Sequence, residues 1–82
     1  MSNPIVSRLP LDLDQYQKYD IPQDYSAYVI TFENITAQEC DDFENEYTLK
    51  GYKIFHSSID RSIADLFNMQ LIVAKSEFIF QK

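Results

Sequence analysis

The chain has 82 residues, with 13 acids against 7 bases for a net charge of −6, six Tyr, six Phe and no Trp. That length makes one domain, residues 1–82, which buries about 60–65% of the surface its unfolded chain exposes. The negative balance excludes nucleic acid and acidic membrane surfaces as expected direct ligands, because both need clustered Lys and Arg.

A single cysteine rules out an internal disulfide framework, and a single glycine rules out a Gly-rich phosphate loop. No charged-then-apolar run at the start resembles a signal peptide, and no apolar stretch is long enough to span a bilayer. A cytoplasmic protein is the expectation.

Residues 1–24 read as an irregular or edge-strand segment. Ile5 and Val6 suit the start of a strand, and Pro4, Pro10 and Pro22 confine that part of the chain to edges, turns or helix starts. Leu9, Leu11 and Leu13 alternate with Pro10 and Asp12, which favours an extended edge. The alternative is a turn or two of helix from Leu11 to Tyr19 with Asp12 as its cap.

From Tyr25 to Phe32 the chain is β-branched and aromatic on both alternating faces, the pattern of an interior strand, and Asn34 is the expected end. Thr36 then stands where a helix N-cap belongs, with Glu39 three residues on to close a capping box. Ile35 and Cys40 are placed for a hydrophobic staple. Ala37, Cys40, Phe43 and Tyr47 form an apolar stripe, and Gly51 supplies the left-handed residue that ends a helix. The spacing predicts a helix from about Ala37 to Lys50, and a second strand over Tyr52 to Ser58. Strand, helix, strand with short joints predicts a right-handed crossover with the two strands parallel and room for a third between them.

Ile59, Ile63, Leu66 and Phe67 repeat at helical spacing and predict a short second helix capped by Ser58 or Asp60. Met69 to Phe80 carries only a β pattern. Without Gly, Asn or Asp near Lys75–Glu77 to mark a tight turn, one long strand is expected there rather than a hairpin. The order is (β)-β-α-β-α-β, with residues 25–82 as the core. It implies an α+β fold, a small two-layer sandwich that is loosely ferredoxin-like.

No residue set has the spacing of a metal or catalytic site. His56 is alone on its strand, and Cys40 on an apolar stripe reads as a small hydrophobe. No cofactor, metal or enzymatic activity is expected. The unusual feature is the polar face of the main helix: from Glu33 to Glu46 there are six acids and no base. Glu39, Asp42 and Glu46 share one side over about 10 Å, with Asp41, Glu44 and Glu33 around them. Repulsion between Asp42 and Glu46 works against the helix, so helix stability does not account for the row.

The six acids are the candidate partner-binding residues. The expected function is a non-enzymatic protein-binding module, an inhibitor in the manner of a small phage- or host-encoded antagonist. It would bind a larger protein whose basic surface normally takes nucleic acid, imitating phosphate spacing. The alternative is a structural or assembly subunit acting as a homo-oligomer. In that reading Phe78, Ile79 and Phe80 put large apolar groups on both faces of a strand that a homodimer would bury. A third reading is a small-ligand sensor whose pocket forms at a dimer interface.

Overall fold

The computed structural model describes residues 5–76, and the Phe78–Phe80 strand expected at a dimer interface lies outside them. The elements in order are β1 (Ile5–Pro10), α1 (Leu13–Lys18), β2 (Tyr25–Ile35), α2 (Ala37–Leu49), β3 (Lys53–Arg61) and β4 (Phe67–Ser76). The strands form one antiparallel four-stranded sheet in the order β1-β2-β4-β3. The fold is α+β, as expected.

The observed order is β-α-β-α-β-β, which differs from the expected one at two places. The first is the segment after residue 10. The extended reading holds only as far as Pro10, and the helical alternative takes over: Asp12 caps α1 by accepting from the Gln15 N–H at 3.1 Å. Proline is accommodated because β1 is an edge strand.

The second is Ile59–Phe67, where the expected helix does not form. β3 runs on to Arg61 and turns over Ser62–Leu66 into β4, with the Ser62 N–H donating to the Leu66 carbonyl at 2.9 Å. An isolated helix this short is marginal in water. Pairing Ile59 with Met69 and Arg61 with Phe67 instead satisfies the backbone and lays Ile59 and Phe67 on the helix-covered face. The turn is made without glycine, because Ala64 takes a left-handed conformation at φ 50°.

β2 is interior, as its two apolar faces require. It does not stop at Asn34. Asn34 adopts φ 57° inside a bulge between Phe32 and Ile35, and the Asn68 side chain accepts from its N–H at 3.1 Å. The Asn34 side-chain oxygen in turn accepts from the Ser62 hydroxyl at 2.6 Å, tying the bulge to the β3–β4 turn. β4 lies between β2 and β3 and is antiparallel to both, so β2 and β3 run parallel across it.

Two clusters divide the sheet by face. Ile30 and Phe32 of β2 join Met69, Leu71 and Val73 of β4 beneath α2, together with Ile35, Cys40 and Tyr52. Phe32 stacks on Phe43 at 4.6 Å between centroids and meets Tyr47 edge-on. On the second face, Ala27, Ile72 and Ala74 pack with Ile21, Leu11, Tyr16 and Tyr19, contributed by α1 and the chain around it. That cover reaches only one end. At the other end Thr31, Gln70, Ser58 and Asn68 are polar and open to water to differing degrees, as in an antiparallel sheet with a solvated side.

Candidate functional site

α2 is coded at both ends by local chemistry. The Glu39 N–H donates to the Thr36 hydroxyl at 3.1 Å, and the Thr36 N–H donates to the Glu39 carboxylate at 2.9 Å, completing the capping box. At the other end the Tyr52 N–H reaches the Tyr47 carbonyl and the Gly51 N–H reaches the Thr48 carbonyl, both at 3.0 Å, with Gly51 at φ 97°. These are the two bonds of a Schellman stop. Ile35 and Cys40, placed for the staple, are both buried in the same cluster.

With the helix held this way, the six acids separate. Asp42 and Glu46 are exposed on the outer stripe, opposite Cys40 and Phe43. Glu39 is half-buried and folded back onto Thr36. Asp41 and Glu44 lie on the flank that faces β3, where Asp41 lines a groove. Glu33, next after the buried Phe32, belongs by alternation to the other face of the sheet and is exposed there. The outer stripe is also partly matched within the helix: Glu46 pairs with Lys50 at 3.1 Å, and the Gln38 amide donates to Asp42 at 3.1 Å.

The bases are placed differently. Arg8 lies over the Tyr28 ring at 4.6 Å and donates to the Tyr52 hydroxyl at 2.5 Å. Lys75 lies over Tyr52 at 4.7 Å, Lys50 over Tyr47, Lys53 over Phe55 and Lys18 over Tyr19. Of the described cations only Arg61 is without such a ring. This cation–aromatic arrangement was hidden in the sequence, where Arg8, Lys75 and Tyr52 are far apart and become neighbours only through the sheet.

Cys40 and His56 sit on opposite sides of the sheet. Cys40 is under α2, whereas the bulge at Phe55 turns His56 toward Tyr19, with ring centroids 5.3 Å apart. Burial, reinforced by the nearby Glu44, Asp41 and Glu39 carboxylates, pushes the Cys40 thiol above its ordinary 9.0. The thiol is therefore held protonated at neutral pH, as a small apolar group behaves. No set of three or more His, Cys, Asp or Glu side chains among the described residues is arranged to hold a metal. No helix of the described residues is long and apolar enough to cross a membrane.

Among the described residues the concave feature is a groove of about 260 Å³ between the first turns of α2 and the β3–β4 hairpin, lined by Ala37, Cys40, Asp41, Ile59 and Phe67. The sequence does not show it, because the spacing of Ile59 and Phe67 is helical. Of their partners across the strands, only Met69 belongs to a stretch with a β pattern, and that pattern does not say which strand it pairs with. No family model matches the chain, and neither a curated protein nor a solved structure matches it at a significant level.

Proposed function

We propose that this chain is a non-enzymatic protein-binding module that engages a basic surface on a larger protein through α2. One observation carries the reading. Among the described residues every cation but Arg61 is drawn onto an aromatic ring, and a single ion pair, Lys50 with Glu46, reaches the helix acids. Asp41 and Asp42 therefore face water without a cationic partner, and their field is free to steer a basic protein. Asp42 and Glu46 stand one turn apart on the outer stripe, a spacing on the scale of neighbouring phosphates, so an antagonist that displaces nucleic acid from such a partner is the specific form of the proposal. It has the chain act in the cytoplasm.

Affinity capture from the native lysate followed by kinetics on the captured partner tests it. The triple substitution Glu39→Gln, Asp42→Asn, Glu46→Gln is expected to slow association with little change in stability, since exposed charges act mainly on encounter. The amide oxygen introduced at position 39 retains the acceptor that the capping box uses. Unchanged affinity, with the wild-type complex indifferent to salt between about 50 and about 500 mM, removes the proposal.

The assembly reading also has an observation in its favour. Edge strand β1 exposes Val6 at 45% and Leu9 at 59%, on opposite faces. It requires a concentration-dependent mass in sedimentation, with little sensitivity to salt.

A further inference from the structure

The free edge of β3 and the groove beside it belong to one surface. Among the described strands β3 pairs only with β4, so its outer backbone groups face away from the sheet. Natural edges are blunted by Lys, Pro, shortness or bulges. The half of β3 near Lys53 has such protection in Lys53 and the Phe55 bulge, and β1 has Arg8 and Pro10. From Ser57 to Arg61 the register is unbroken, with no bulge, Pro or Lys and with Asp60 and the terminal Arg61 as its charged side chains.

Ile59 points to the helix-covered face yet remains 48% exposed, because α2 stands over Phe32 rather than beyond β3. The groove it lines has an apolar floor, with Asp41 on its wall. The Glu44 carboxylate is close enough to act on Cys40, which forms part of that floor. Asp60 and Asp65 are exposed on the strand and in the turn. Against these four acids stands Arg61, opposite Phe67. At about 260 Å³ the groove falls below the roughly 300–1,000 Å³ of small-molecule pockets and suits one or two side chains.

We propose that this surface docks an extended segment of a partner protein in which apolar and basic side chains alternate. The segment adds as a fifth strand along Ser57–Arg61 and seats one apolar side chain against Ile59 and Phe67. Backbone pairing supplies affinity and the groove supplies selectivity, while Asp60, on the opposite face of β3 from Ile59, selects Lys and Arg at the alternate positions. The inference rests on the protein-binding reading above, and it moves the contact from the outer stripe of α2 to its inner flank.

The test titrates the full chain into a fluorescein-labelled peptide of alternating Lys or Arg with Val or Leu, read by anisotropy. Controls are the same peptide with Glu at every basic position, and one N-methylated along a single edge. The basic peptide is expected to bind and weaken with salt, and the two controls not to bind. Ile59→Thr, which keeps a β-branched residue, is expected to weaken binding about tenfold. Asp14→Asn with Asp24→Asn, exposed acids away from both surfaces, should leave it within about twofold, and Asp42→Asn with Glu46→Gln tells the outer stripe of α2 from the groove. Circular dichroism verifies that the variants are folded, and the N-methylated peptide tests the strand independently of any variant.

No binding of the basic peptide up to about 1 mM, or binding that survives both Ile59→Thr and N-methylation, overturns the proposal. So does a self-associated chain that Ile59→Thr makes monomeric, which assigns the groove to a second copy. Binding lost in the Asp42/Glu46 variant but intact in Ile59→Thr overturns this inference and leaves the broader reading standing.

Discussion

The two faces of the sheet are covered by different means. On one, α2 is a 13-residue helix whose Cys40, Phe43 and Tyr47 pack onto Phe32 and its neighbours, and aromatic contact holds it there. On the other, α1 has six residues and buries none of its own. Its hold is a phenol. The Tyr16 hydroxyl donates to the Tyr25 carbonyl at 2.6 Å and accepts from the Ala27 N–H at 3.0 Å. Tyr16 thereby takes over the edge of β2 where β1 ends, at Pro10 opposite Tyr28. Helix length decides which device is available: six residues present too little apolar surface to dock by burial, so polar satisfaction of an open strand edge does the positioning.

Three substitutions probe this contrast. Phe32→Ala should be the most damaging, costing about 3–5 kcal/mol, because a fully buried ring with two aromatic partners is removed. A loss under about 1 kcal/mol in urea unfolding would mean that α2 is held by its ends rather than by its packing.

Tyr16→Phe should cost about 1–3 kcal/mol, since it leaves the Ala27 N–H and the Tyr25 carbonyl short of a partner while keeping the ring. Amide exchange at Ala27 is the sharper reading. Protection that persists in the variant would show that α1 is placed by Ile21 and Tyr19 instead of the phenol.

Thr36→Ala should be the mildest, at about 1 kcal/mol. It removes one acceptor from the capping box and leaves the aromatic stack untouched. A cost as large as that of Phe32→Ala would erase the distinction between a packed helix and one fastened at its ends.

The parts of this fold that were legible in sequence are those whose coding is local. Thr36 with Glu39, and Gly51 after Leu49 and Lys50, marked both ends of α2 within a few residues, because each signal satisfies its own nearby backbone groups. The two apolar faces of Tyr25–Phe32 mark an interior strand for a different reason, since both sides must be covered. Asp12 is visible as a cap, yet alternation of the leucines around it favours an edge strand, and the chain uses both in succession. Ile59 to Phe67 misled. Its apolar spacing suits a helix, and nothing local opposes one.

The candidate site follows the same division. Asp42 and Glu46 were found on the water-facing side of α2, since helical geometry alone directs them there. The position of Asp41 and Glu44 on the flank toward β3, and the groove that Ile59 and Phe67 complete, were not legible. Each depends on β4 lying between β2 and β3.

By itself, then, the sequence determined where α2 starts and stops, which strand lies inside the sheet, and a net charge that disfavours phosphate ligands. Only the tertiary structure decided that residues 59–67 pair as strands around a left-handed Ala64, that Arg8 and Lys75 meet over Tyr52, and that an open edge borders an acid-walled groove. The physical reason is range: caps and alternation are satisfied within a few residues, whereas a hairpin's gain comes from a partner strand that no local pattern reveals.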